Sequence, residues 1–227
     1  MLSYDPTMIL LIPALLFSLW AQFKVKSAFS EYSQVASARG VTSDYAARAI
    51  LDANGLNYVG IEHIAGELTD HYDPRAKVLR LSQSVAGSTS IAAIGVAAHE
   101  CGHAVQDAKG YAPLKIRNAI VPVVNICSTL SIPLFFIGFV FNNLGLIDLG
   151  IFFFCGVLVF HAITLPVEFD ASGRALKILA NDGILAGAEV KGAKKVLTAA
   201  ALTYVSALVM TAMQLVRLVL LRNQRRN

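Results

Sequence analysis

Four apolar blocks divide this chain, and they leave it few folds to choose from. They run over Met8–Phe23, Ala119–Phe141, Leu149–Val167 and Val196–Leu221. The hydrocarbon core of a bilayer offers backbone groups no water, so a crossing segment must be a helix of about 20 mostly apolar residues. The second and third blocks meet that length, although Pro122 and Pro133 interrupt the second. The short Asn142-Asn143-Leu144-Gly145 connection makes these two a helical hairpin. The first block is short but spans with its flanks. The fourth is broken late by Arg217 and carries Thr198, Thr203, Ser206, Thr211 and Gln214, polar positions of the kind that face neighbouring helices. Composition agrees: the chain is 56% hydrophobic and 15% charged, where a soluble domain is about a quarter charged. The expectation is a mostly α membrane protein with about four transmembrane helices.

The net charge of +4 is modest, and the basic residues flank the apolar blocks. No aromatic-basic surface pattern accompanies them, which argues against a nucleic-acid partner and leaves the lipid bilayer as the surface to expect. Three scattered cysteines, Cys101, Cys127 and Cys155, give no disulfide framework. The N-terminal block lacks positive charge before it and a small-residue exit after it, so it reads as a retained anchor rather than a cleaved signal. The expected divisions are an anchor over 1–23, a polar catalytic region over 24–117, the hairpin over 118–167, a second polar segment over 168–195, and a last span with a basic tail over 196–227.

The first polar region has the punctuation of a small mixed domain. Helix is expected through Ser27–Ala38 with Gly40 stopping it, then over Asp44–Ala53 behind a Thr42 or Ser43 cap. Tyr58–Ile64, Glu67–His71 and Lys77–Ser82 read as strands, the last two joined by a turn at Tyr72-Asp73-Pro74-Arg75. Gly87-Ser88-Thr89-Ser90 then precedes a helix rich in small residues, Ile91–Asp107. If all four blocks span, the two polar segments share one side. Lys24, Lys26, Lys115, Arg117, Lys191, Lys194 and Lys195 flank the spans there, and the positive-inside rule makes that side cytoplasmic. Arg217, Arg222, Arg225 and Arg226 in the tail pull the other way.

On the second half of that helix lies His99-Glu100-Cys101-Gly102-His103. Residues four apart are neighbours on one helix face, so His99 and His103 can each give a ring nitrogen to one ion, and zinc favours such ligands. Glu100, about 100° around the helix from His99, can handle the proton of a zinc-activated water. Ala97, Ala98, Gly102 and Ala104 leave room for an ion and a close neighbour helix. A third ligand must come from elsewhere, because Gln106 and Lys109 occupy the positions where the metzincin extension needs glycine and histidine. Asp107, Asp148, His161, Glu168, Asp170, Asp182 and Glu189 are the candidates. Glu168 sits where the third span returns to the catalytic side, and a two-histidine, one-glutamate site with an open fourth position follows.

Other residues could serve the chemistry. A developing oxyanion needs a donor; Arg174, roughly two turns beyond Glu168, is one, with Tyr72 and His71 as alternatives. The strand Lys77–Ser82 is a candidate edge for an extended peptide, which puts Val78 and Leu79 beside the substrate. Two further readings stay open. A site-2-type intramembrane protease would use Asp148 as third ligand, and a non-enzymatic membrane scaffold would hold its metal in a closed four-ligand site.

The H-E-C-G-H segment, the two-span hairpin after it and Glu168-Phe169-Asp170-Ala171 together resemble the gluzincin membrane peptidases, among them the heat-shock-type membrane proteases and the CAAX prenyl proteases. The closer resemblance is to the neutral zinc metallopeptidase family of the YugP type. Asp70-His71-Tyr72-Asp73-Pro74, Leu79-Arg80-Leu81-Ser82, Leu165-Pro166-Val167 and Ala201-Leu202-Thr203-Tyr204-Val205 also carry it, over nearly the whole chain. It implies a small α+β gluzincin-like catalytic domain, a zinc metalloprotease in a bacterial plasma membrane acting on a peptide or membrane-protein substrate, with His99, His103 and Glu168 as Zn2+ ligands and Glu100 as catalytic base. In related gluzincins an aspartate four residues after the glutamate ligand supports a zinc histidine; here that position is Ser172.

Overall fold

The computed structural model describes residues 6–226; the first five residues of the expected anchor lie outside it. A 3-10 turn, Pro6–Leu10, leads into helix α1, Leu11–Ser33. The anchor and the helix expected at Ser27–Ala38 are thus one rod, and its end falls before Gly40, because Ala36 leaves the helix to bridge Ser90. Helix α2, Ser43–Ala53, is capped by Thr42, whose hydroxyl accepts from Tyr45 N–H at 3.2 Å.

Strands β1 (Gly60–Ile64), β2 (His71–Asp73) and β3 (Val78–Ser82) form a sheet in the order β1-β3-β2, β3 parallel to β1 and antiparallel to β2. The strand expected over Glu67–His71 lies further along. Gly66 and Leu68 have φ of +105° and +53°, incompatible with extended chain. Asp70 is spent on the neighbouring strand, taking Ser82 N–H at 2.7 Å and Ser82 Oγ–H at 2.8 Å. The turn accordingly shifts to Asp73–Lys77, where Asp73 Oδ1 accepts from Arg75 and Ala76 N–H groups. The edge expected at Lys77–Ser82 is corrected as well: β3 is the central strand, paired on both sides, and Leu79 is wholly buried in the core. The reason for setting Val78 and Leu79 beside a substrate is therefore lost.

Helix α3, Ile91–Ala108, starts at Ser90, whose hydroxyl accepts from Ala93 N–H. Of its eighteen residues only Val96, His99, Asp107 and Ala108 escape full burial. Such enclosure needs small side chains, and α3 supplies them.

Three long helices follow: α4 (Ala112–Val140), α5 (Leu144–Asn181) and α6 (Ala188–Arg226). Pro122 and Pro133 lie within α4 without ending it, as membrane helices tolerate. The third span and the segment from Glu168 form one helix, so Glu168 is an interior position of α5 rather than the start of a new element. Among the described residues, α1 with its leading turn, α4, α5 and α6 are long and apolar enough to cross a membrane. The protein is a mostly α membrane protein with a small α+β domain.

Two compact units divide the chain. One comprises α1 up to Gln22, Ile116–Leu165 and α6 from Thr203; its small core gathers Phe135, Ile147 and Leu218. The other comprises Phe23–Lys115 and Pro166–Leu202. Its core joins Ile50 and Leu51 of α2, Leu79 and Leu81 of β3, Ile94, Ala97 and Ala98 of α3, Leu179 of α5 and Leu197 of α6. Every residue of the candidate site belongs to this second unit.

Candidate metal centre

His99 and His103 stand one turn apart on α3 with ring centroids 4.8 Å apart. Glu168 of α5 faces both: its Oε2 lies 3.3 Å from His99 Nε2 and 3.6 Å from His103 Nε2. Two ligands bound at 2.0–2.1 Å to one tetrahedral ion stand about 3.3 Å apart. Two imidazoles, each with its Nε2 about that far from one carboxylate oxygen, fit zinc in donor type. All three ligand atoms lie within 4.8 Å of one another, the one such group among the described residues.

The approach of α5 depends on Gly102. A Cβ there would stand 2.6 Å from the Ala171 carbonyl oxygen and 3.2 Å from Ala171 Cα, so only glycine lets the two backbones close to this distance. Glu168 lies three residues before Ala171, on a face that this contact turns toward α3.

Glu100 is buried beside the ligands, and Tyr72 N–H donates to its Oε2 at 3.1 Å. Burial pushes its carboxyl up from the ordinary value, and the two histidines only partly oppose this. In His103 burial works to lower the imidazole pKa, but contact with Glu168 and the charge of Glu100 outweigh it and raise the value.

Hydrogen bonds behind the histidines hold their rings. His99 Nδ1 and Ser172 Oγ are 3.0 Å apart, so the residue four after Glu168 reaches His99 with a hydroxyl. His103 Nδ1 lies 3.0 Å from Gln106 Oε1, and Gln106 Nε2 donates to Val167 O and Asp170 Oδ2, each at 2.8 Å. Sequence reasoning missed Gln106, noticing it only as the residue that breaks the metzincin pattern. Its spacing three after His103 was a signal, but its partners lie more than sixty residues away.

The remaining candidates have other occupations. Arg174 Nε donates to Asp170 Oδ2 at 2.5 Å, and the guanidinium lies 5.7 Å from the Tyr111 ring centre. The Tyr72 hydroxyl and Lys77 ammonium both donate to Asp107, at 2.9 and 2.6 Å. Burial and that carboxylate raise the phenol's pKa. His71 Nδ1 faces Thr69 O at an exposed position. Glu189 takes the N–H groups of Ala38 and Ala186. In the other unit Asp148 pairs with Arg222 at 2.8 and 3.0 Å. Cys101 is buried with its Sγ 3.6 Å from Ala47 O.

A helical membrane protein whose buried helix brings two histidines to a glutamate in this way carries a candidate metal site. The model of the family described as "Putative neutral zinc metallopeptidase" matches residues 7–223, and the chain belongs to that family. A curated relative from Bacillus subtilis (strain 168), "Putative membrane protease YugP", is 49% identical over 212 residues, 93% of this chain and 94% of that one. No solved structure matches the chain.

Proposed function

We propose that this protein is a membrane-embedded zinc-dependent endopeptidase that hydrolyses peptide bonds in peptide or membrane-protein substrates. The observation that carries the reading is the convergence of His99 Nε2, His103 Nε2 and Glu168 Oε2 at ligand-to-ligand spacing. Zinc, when bound, would lower the pKa of a water toward ~7 and polarise the scissile carbonyl. Glu100 manages the protons: held by Tyr72 N–H at one oxygen, it accepts a proton from the water and passes one to the leaving amine. Arg174 is held toward Asp170 and in this reading acts through that pair. The family membership and the relative's printed name support peptidase chemistry. The bacterial plasma membrane, with the catalytic side cytoplasmic, is the location proposed.

Three protein ligands with a fourth position for water is the arrangement of catalytic zinc, whereas structural zinc is closed by four. Cys101, turned to the Ala47 carbonyl, does not offer the fourth, which weighs against a metal-holding scaffold. The pairing of Asp148 with Arg222 weighs against the site-2-type alternative.

The test is metal content and proteolysis of the purified protein in nanodiscs. Wild type should hold one zinc per chain, and His99→Ala, His103→Ala and Glu168→Ala should each lose it. Glu100→Gln should keep the metal and cleave nothing. A proteolytic Glu100→Gln variant, or zinc retained by Glu168→Ala and lost from Asp148→Ala, would sink the proposal.

A further inference from the structure

Gln106 is completely buried on α3, three residues beyond His103 and on its face. A buried amide must have its hydrogen-bonding capacity met, and its surroundings leave it one orientation. The end that meets Val167 O and Asp170 Oδ2, each 2.8 Å away, faces acceptors only, so it must be the NH₂ group with its two donors. The carbonyl end must then be the one 3.0 Å from His103 Nδ1. A carbonyl oxygen can only accept, so Nδ1 carries a proton, and once the ring is neutral the nitrogen left with an electron pair for a metal is Nε2, 3.6 Å from Glu168.

We infer that Gln106 is the positioning residue that locks His103 in the Nδ1–H tautomer and so presents Nε2 for metal binding. The inference rests on the reading of His103 as a metal ligand. Asp170 Oδ2, which holds the Gln106 amide, is held in turn by Arg174 Nε at 2.5 Å. The chain from His103 through Gln106 and Asp170 to Arg174 thus runs from α3 into α5 and gives Arg174 a purpose as its anchor. The other histidine is supported differently: the Ser172 hydroxyl can donate or accept, so it orients the His99 ring without selecting its tautomer. One ligand is committed by an acceptor, the other is adaptable.

The experiment uses the full chain in nanodiscs with its five histidines labelled with ¹⁵N. In the metal-free wild type, at a pH high enough that the His103 ring is neutral, long-range ¹H–¹⁵N correlations should show it as the Nδ1–H tautomer. Gln106→Met, of similar size but without hydrogen bonds, should let the Nε2–H form appear. It should also raise the zinc dissociation constant roughly 10- to 100-fold in chelator competition. A Gln106→Met protein with unchanged tautomer or unchanged affinity overturns the inference. If that variant does not fold, the wild-type spectrum decides, and a neutral His103 ring in the Nε2–H form there overturns the inference. Wild-type zinc affinity in His103→Ala would instead overturn the metal-centre reading itself.

Discussion

Each histidine of the centre has one nitrogen toward Glu168 and the other toward a neutral polar side chain, Ser172 for His99 and Gln106 for His103. Neutral partners orient a ring without adding a charge to the site. For Ser172→Ala the expected outcome is zinc binding about tenfold weaker with the helices intact, since removing such a supporting bond costs at least that much affinity; chelator competition measures it. The paired histidines and the glutamate between them were legible in the sequence, because a helix puts residues four apart on one face whatever surrounds it. Neither Gln106 nor the Tyr72 N–H that holds Glu100 was legible, because each acts through a partner from a different element. Arg174 shows the same limit from the other side. The sequence placed it within reach of a cleft, and folding committed it to Asp170, one helical turn away.

Among the elements, α3 and α5 matter most, and their spacing rests on Gly102. Gly102→Ala would force a methyl to within 2.6 Å of the Ala171 carbonyl. The helices must part, at a cost of about 1–3 kcal/mol, and Glu168 moves away from the histidines. The expected result is a lower unfolding midpoint together with loss of zinc, whereas a change on the solvent side of α2 would give neither. The β2–β3 hairpin carries the other functional contact, the N–H of Tyr72. Asp73 closes its turn, and the N–H groups of Ala76 and Arg75, with the Arg80 guanidinium, hold that carboxyl down to about 2. A depressed carboxyl stabilises the fold above its ordinary value of 3.8 and loses that contribution as the pH falls from there toward 2. Protection of the hairpin amides against hydrogen exchange, taken relative to the unfolded-chain rate, should therefore fall in that acid window in wild type, and Asp73→Asn should remove this dependence. The sequence had marked Asp73 and Pro74 as turn-forming but set the turn too early. The pairing of Asp70 with Ser82 of β3 and the Leu68 N–H bond to the Ser84 hydroxyl just beyond it are distant contacts, which no local pattern announces.

For the whole molecule, a metal held between α3 and α5 stabilises the folded state by mass action, about 4 kcal/mol at a thousandfold excess over its dissociation constant. Chelation should lower the unfolding midpoint of wild type and leave His99→Ala unmoved, as thermal unfolding with and without chelator would show. Orientation is tested by Glu67→Cys, an exposed position of the unit that holds the candidate site. A membrane-impermeant maleimide should label it only after the cells are permeabilised, and labelling of intact cells would turn the protein over. What the sequence determined by itself was whatever depends on near neighbours: four apolar stretches long enough to span, the capped start of α2, and two histidines with a glutamate on one helix. Apolarity and helical periodicity act over a few residues, so they can be read without the fold. The tertiary structure alone decided that β3 is central rather than an edge, that α5 continues unbroken past Glu168, and that Gly102 brings it against α3. It also decided that Gln106 stands behind His103, and that Ser172, seen in the sequence at the aspartate's place, reaches His99. Each of those depends on which distant segments share one core, and packing settles that only when the whole chain has folded.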